Sequence, residues 1–234
     1  CIRFGAIRRI EKKGSATLKN RRIMIITIIA DVFGRENNGT AITARRLIDS
    51  LKERGHEVRV VSPYVTDEQG FYTVPKRNFY CFNKYVAKNG VELAKPDKKV
   101  LTEAITGCDV VHVMMPFKLG RAALKIARKM KLPVTAGFHC QPENFSSHVH
   151  LKDVKAANAF LYKRFNRVLY KHVDCIHSPS EFIERELRRH GYKAPIRVIS
   201  NGVAPCYKKI ESERPEEIKD YYLILFTGRF AGEK

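Results

Sequence analysis

A chain of 234 residues is long enough for one large domain, or one domain and part of a second, and can bury a sizeable core without staples. Its apolar fraction of 44% is ordinary for a globular protein, but 44 lysines and arginines stand against 24 acidic residues, a formal charge of +20. That charge points to anionic partners (phosphates, nucleic acid or an acidic membrane face), and no segment reaches the ~18 uninterrupted apolar residues of a spanning helix.

Residues 1–22 form a basic leader, with seven basic residues and one acidic among the first 21 and no apolar stretch of the signal-peptide kind. The chain opens with Cys, and this stretch reads as a fragment edge, a mispredicted start or a disordered arm. From Ile23 onward short apolar runs alternate with longer amphipathic ones. Ile23–Ala30, closed by Asp31, predicts a strand, and Ala41–Arg54, ended by Gly55, a helix. A strand follows at Glu57–Ser62. The stretch from Tyr64 to Pro96 reads as irregular, with one or two short strands.

Asp97 can cap a helix through Thr106, and Asp109–Met114 is the next strand. Lys118–Met130 predicts a helix, Val134–Phe138 a strand and Lys152–His172 a long helix. Cys175–His177 is strand-like. In "SPSE", Ser178 fits an N-cap, Pro179 the first helical position and Glu181 the third, a capping box for a helix running to His190. Strands at Ile196–Ile199 and Tyr222–Phe226 complete the series. Near-continuous Val/Ile strands alternating with helices predict a Rossmann-like α/β fold, a parallel sheet covered on both faces. One domain is expected over residues 23–202, a Pro- and charge-rich linker over 203–220, and the first strand and loop of a second domain over 221–234. The six cysteines are scattered singly with no C-x-x-C pair, which suggests neither a zinc ribbon nor a redox dithiol and fits a reducing compartment. Cys108 and Cys175 sit beside strand-like runs and are expected as buried thiols.

In such sheets ligands bind outside the carboxyl ends of the strands. Four loops there carry candidate residues. Gly39, in "RENNGTA", allows backbone to approach a ligand beside a helix N-terminus, although no G-x-G-x-x-G is present; a plain turn is the alternative. His139 directly follows the strand "VTAGF", where it either faces a ligand or is satisfied by backbone. With Glu143, His148 and His150 it could be offered as a metal set, but no H-E-x-x-H or Cys partner accompanies it, and a loop lining a cleft is the better reading. Ser200-Asn201-Gly202 reads as a tight turn. Arg229 and Lys234, in "TGRFAGEK", suit a diphosphate, the fork of Arg and the point charge of Lys being complementary.

Taken in order, the Asn-Gly-Thr loop, "ERGHEVRVVSP", "DVVHVMMP", "VTAGFH", "VDCIHSPSE", "VISNGV" and "LFTGRFAGEK" resemble the family-four retaining glycosyltransferases of the GT-B fold, from Ile23 to Lys234. The resemblance implies an amino-terminal, acceptor-side domain followed by the start of a donor-binding domain. It implies that Gly39 lies near the donor diphosphate, where relatives often carry two glycines and this chain has Asn38-Gly39. It further implies that His139 lines the donor sugar as the catalytic-site histidine, and that Arg229 and Lys234 grip the diphosphate. No metal or other cofactor is implied, since Arg and Lys can meet the charge that develops on the leaving diphosphate. The family's E-x7-E motif would lie beyond Lys234, so a fragment ending there is not expected to be active alone. The implied partner is a nucleotide-sugar donor, with an acceptor left open between lipid and glycan.

The helix at 152–172 bears on that acceptor. Val154, Ala157, Leu161, Phe165 and Val168 are expected on its core face, and Lys155, Lys163, Arg164, Arg167 and Lys171 on the other. That basic face is either simply solvated or docks on an anionic membrane, which would make the protein cytoplasmic and peripheral on the inner face. Two other functions remain open. A sugar-nucleotide epimerase would share the architecture and the donor. A nucleic-acid-binding module would explain the charge, but no recognisable module or concentrated basic stripe with aromatics is present, and no nucleic-acid partner is expected.

Overall fold

The computed structural model describes residues 22–33, 39–78, 93–143, 154–203, 207–209 and 215–224. Seven strands form one sheet: β1 (Ile25–Ile29), β2 (Glu57–Ser62), β3 (Phe71–Thr73), β4 (Val110–Val113), β5 (Val134–Gly137), β6 (Cys175–Ser178) and β7 (Ile196–Val198). All six pairings are parallel. The strand order is β3-β2-β1-β4-β5-β6-β7, so the chain winds outward from β1, returns to the middle at β4 and winds out the other way. Aspartates set where two neighbouring strands begin. Asp109, just before β4, accepts from the Ile25 amide of β1 at 2.8 Å, and Asp174, just before β6, accepts from the Val134 amide of β5 at 2.8 Å.

The helices are α1 (Gly39–Glu53), α2 (Lys98–Ile105), α3 (Lys118–Lys129), α4 (Lys155–Val168) and α5 (Glu181–Arg189), with 3-10 turns at Tyr170–His172 and Glu216–Ile218. Both faces of the sheet are buried. On one, Ile26, Ile28, Val58 and Val60 pack with Ala44 and Ile48 of α1. On the other, Ile29, Val61, Val113, Val134 and Ile176 pack under α2, α3, α4 and α5. Full burial of one such side chain contributes about 1.5–3 kcal/mol, which is why alternation of apolar and polar residues is lost in these strands. Gly120 lets α3 lie this close to β4, because a Cβ there would fall 2.4 Å from the Val113 side chain and 2.6 Å from the Met115 carbonyl oxygen.

Four local expectations need correction. Ser178 does not cap α5: it is the last residue of β6, and its hydroxyl donates to the Ser180 carbonyl at 2.8 Å. The cap is Ser180, accepting from the Ile183 amide, so Glu181 is the first helical residue and no capping box forms. The strand simply runs one residue further than its apolar run. The long helix ends at Val168 and tightens into the 3-10 turn, and its buried residues are Asn158, Tyr162 and Phe165, while Val154 is 44% exposed. The buried face is thus rotated roughly 70° from the aliphatic stripe, at ~100° per residue. Tyr162 causes this: its ring stacks on Phe138 and on His190, and its hydroxyl donates to Glu143 at 3.2 Å. Finally, Tyr222, Leu223 and Ile224 of the expected last strand are exposed and belong to no strand; residues 225 and 226 lie outside the described residues. Cys108 is buried as expected, whereas Cys175 is partly exposed.

Candidate functional site

The strand order reverses between β1 and β4, and in a sheet of this kind the crevice beyond those carboxyl ends is where a ligand fits. Asp31, two residues beyond β1, lies there with 0% exposure. Neither of its carboxyl oxygens has a hydrogen-bond partner of normal geometry. Burial pushes its pKa up to about 7, an effect the nearby Ala94 and Leu119 amides only partly offset. It lines a cavity of about 280 Å³ under the first turn of α3, with Phe117, Phe165 and Arg121 among the walls.

Gly39 is the first residue of α1, on the same edge of the sheet and exposed. A Cβ added there would meet nothing within 4 Å, so the fold itself does not require glycine at this position. His139 follows β5, two strands along from β1. Its ring does not project from the edge. It folds back over Gly137, on the face of the sheet that carries the α1 core, and meets the His177 ring edge-on at 5.3 Å between centroids. Its Nε2 is buried without a partner, and burial, helped by His177, lowers its pKa to about 4, so the ring is neutral at pH 7. His112 of β4 belongs to the same group. Its Nδ1 is 2.8 Å from the Thr135 hydroxyl, its Nε2 is unpartnered, and burial lowers its pKa to about 3. His177 Nε2 donates to the Ile199 carbonyl at 2.6 Å, which fixes its tautomer.

A tight turn is expected at Ser200-Asn201-Gly202, but the backbone makes no turn or bend there, although Gly202 adopts φ 69°. The Gly202 amide donates to the Ser200 hydroxyl at 3.1 Å, and Arg46 of α1 reaches the Gly202 carbonyl. Arg229 and Lys234 lie outside the described residues, as do His148 and His150. Among the described residues no group of three or more His, Cys, Asp or Glu could hold a metal ion.

The basic residues expected on the long helix are all exposed. Arg164, Arg167 and Lys171 line a groove of about 920 Å³ between α3 and the end of α4, opposite Arg121, Lys125, Arg128 and Lys129 of α3. No acidic residue lines that groove. Among these seven cations the ion pair shown is Arg128 with Asp174 at 3.1 Å. Lys163 shares the outward face of α4 with 60%-exposed Phe160, whereas Lys155 is exposed on a different side of the helix and is not part of the groove. Among the described residues no helix is long and apolar enough to cross a membrane.

The family model "Glycosyltransferase Family 4" matches residues 37–205, which span α1 to β7 and a few residues on either side. The chain belongs to glycosyltransferase family 4. It is 28% identical over 229 residues to the GDP-mannose-dependent alpha-mannosyltransferase of Corynebacterium glutamicum, covering 91% of this chain and 53% of that protein. It is 25% identical over 199 residues to the alpha-monoglucosyldiacylglycerol synthase of Streptococcus pneumoniae, covering 82% of this chain and 43% of that one. The chain therefore spans about half the length of the curated relatives it matches. A glycosyltransferase structure from Rickettsia africae aligns with 77% of the chain at 17% identity and a TM-score of 0.47. Neither an epimerase nor a nucleic-acid-binding family is supported by the family match.

For a family-four domain, two parts of this site escaped sequence reasoning. Asp31 was visible as the residue closing an apolar run, and the carboxyl-edge rule that drew attention to His139 applies to it equally. The α3 half of the groove was also visible, since Arg121, Lys125, Arg128 and Lys129 recur at helical spacing. His112 and His177 gave less warning, because each sits inside a strand pattern and only the sheet register brings them together.

Proposed function

We propose that the protein to which this chain belongs transfers a sugar from a nucleotide-sugar donor to an acceptor with retention, without a metal cofactor, and works at the surface of an anionic membrane on its cytoplasmic side. The observation that carries the reading is the family-four match across 37–205, whose relatives are named for GDP-mannose dependence and for synthesis of a glucosyl-diacylglycerol. On this reading Arg229 and Lys234 hold the donor diphosphate, Gly39 at the head of α1 leaves room for it, and His139 lines the sugar. Residues from about 221 onward open the donor-binding domain, after a linker at 203–220. Two negative charges develop as a nucleoside diphosphate leaves, and fixed cations with a helix N-terminus stabilise them. The unfilled space around Gly39 supports this placement. The membrane part is supported by the groove of seven cations and by Phe160 beside Lys163, with each cation near an anionic surface contributing about 1 kcal/mol.

The test is isothermal titration of the full-length protein with a panel of nucleoside diphosphates. Removing one charged partner of a phosphate costs about 1.5–3 kcal/mol, so Arg229→Ala and Lys234→Ala should each weaken binding by roughly one to two decades. His139→Ala should spare nucleotide binding and depress turnover. Unchanged affinity in both cation variants would show that the diphosphate binds elsewhere.

A further inference from the structure

We propose that the cavity beneath the first turn of α3 binds a polyol phosphate, with Asp31 hydrogen-bonded to a hydroxyl and Arg121 and Arg164 holding the phosphate. This rests on the transferase reading and identifies the chemistry of its acceptor-side ligand. The cavity lies at the topological switch point, in the place where the fold offers a crevice. Its floor is a fully buried carboxyl group whose two oxygens have no hydrogen-bond partner of normal geometry, although the Ala94 and Leu119 amides lie near it. A buried polar group without a partner is costly, and native folds rarely retain one without use. The first turn of α3 has no side-chain cap and brings the Leu119 amide to the same spot, and α3 is 12 residues long.

A hydroxyl matches that floor in either state of the carboxyl, because it can donate to an ionised Asp31 or accept from a protonated one. An ammonium group would suit only the ionised form, and the cations at the rim oppose it. Arg121 and Arg164 form no ion pair with a carboxylate among the described residues, which leaves their guanidinium forks open to a phosphate. Phe117, Phe165 and Val168 supply apolar wall between the two polar ends. About 280 Å³ admits a small head, not a lipid chain. Arg121, Arg164 and Val168 also line the basic groove, so the cavity and the groove adjoin across these side chains. The polyol phosphate can therefore belong to a lipid held at the groove or to a free molecule.

The experiment uses the full-length protein with three probes: sn-glycerol 3-phosphate, methyl phosphate, which lacks the hydroxyls, and vesicles of phosphatidylglycerol compared with phosphatidylcholine. The wild type should prefer glycerol 3-phosphate to methyl phosphate by at least ~10-fold, the worth of one good charge-assisted bond. Asp31→Leu should abolish that preference, and Arg164→Ala, an exposed position that does not endanger folding, should weaken both phosphates by ~10-fold. Phosphatidylglycerol binding that depends on Asp31, with no binding of the soluble compound, assigns the site to a lipid head; binding of the soluble compound assigns it to a free polyol phosphate. If Asp31→Leu does not fold, the Arg164→Ala result decides. Preference unchanged in Asp31→Leu, affinity unchanged in Arg164→Ala, or no binding of the soluble compound together with vesicle binding indifferent to Asp31 would overturn the proposal. Nucleoside diphosphate binding, measured on the same samples, reports separately on the transferase reading and persists if only this site is wrong.

Discussion

Gly137→Ala tests whether His139 acts from where it lies. A Cβ at position 137 would fall 2.2 Å from His139 Nε2 and 2.4 Å from Cδ2, whereas ordinary contact begins at 3.4 Å. The ring must therefore retreat by at least 1.2 Å (3.4 − 2.2), and the His177 ring, 5.3 Å away, limits its retreat on one side. Misplacing a reacting group by 1 Å can cost ~100-fold in rate, so turnover should fall by about that factor while nucleoside diphosphate affinity is unchanged. Overpacking of this kind costs about 1–3 kcal/mol, and each kcal/mol lowers the melting temperature of a domain this size by ~3 °C. The double variant Gly137→Ala/His139→Ala supplies the control. It removes the clashing ring, so the melting temperature should return towards that of His139→Ala, and turnover should be no lower than in His139→Ala. Turnover at the wild-type level in Gly137→Ala, with His139→Ala inactive, would refute the reasoning: the histidine would then work from a position swung away from the sheet.

Acid should destabilise the fold in a defined window. The unfolded chain protonates His112 and His139 near their ordinary 6.5, while the folded chain resists until about 3 and about 4, so their contribution is complete above pH 6.5 and is lost as pH falls. Asp31 acts in the opposite sense, keeping its proton in the folded state up to about 7, so its contribution is lost as pH rises from 3.8. Between pH 4 and 6.5 two groups oppose one, and these three together should make stability rise by up to about 1.4 kcal/mol per pH unit. Asp31→Asn should steepen that slope in urea unfolding, and an unaltered slope would mean that the carboxyl is not held neutral. A separate expectation concerns Arg167→Glu with Lys171→Glu, which should reduce binding to phosphatidylglycerol vesicles by at least ~10-fold at about 1 kcal/mol per charge, without affecting phosphatidylcholine. Lys98→Glu with Lys99→Glu on α2 brings the same charge change away from the groove, and an equal loss in that variant would mean that net charge, not the groove, drives binding.

Much of the fold is legible because the strongest signals agree. β2 spans Glu57–Ser62 as its Val-rich run and the following Pro63 indicate, and α2 begins after Asp97 because that carboxylate accepts from the Lys99 and Val100 amides. The failures have physical causes. Ser178 and Ser180 both look like caps, and which one acts is decided by where β6 releases the chain, a sheet property that local pattern does not carry. The face of α4 was misjudged because burial there is led by Tyr162 and Asn158, whose polar atoms make them poor core candidates until their partners are known. Gly39 and His139 were located by a rule about strand ends, and the same rule contained Asp31. Orientation was not contained in it: nothing in "VTAGFHC" says that His139 folds back, and the reason lies two residues earlier, where Gly137 leaves the space for its ring.

The two sides of the sheet's carboxyl edge differ in electrostatic character. On the α1 side are three imidazoles, two of them held neutral by burial, and no strong fixed charge among them. On the α3 side is a buried carboxyl group whose cavity adjoins a groove with seven cations and no acidic lining. Part of the net charge of +20 thus has a particular location in the fold, the seven cations of this groove, beyond the six net charges of the leader. Interactions between exposed charges decay within about 8 Å at physiological salt, so the groove acts on what lies in it and has little influence on the histidines across the sheet. Fixed charge in this domain is therefore gathered on the α3 side, while on the α1 side burial holds His112 and His139 neutral, where a fixed dipole acts more strongly than it would in water.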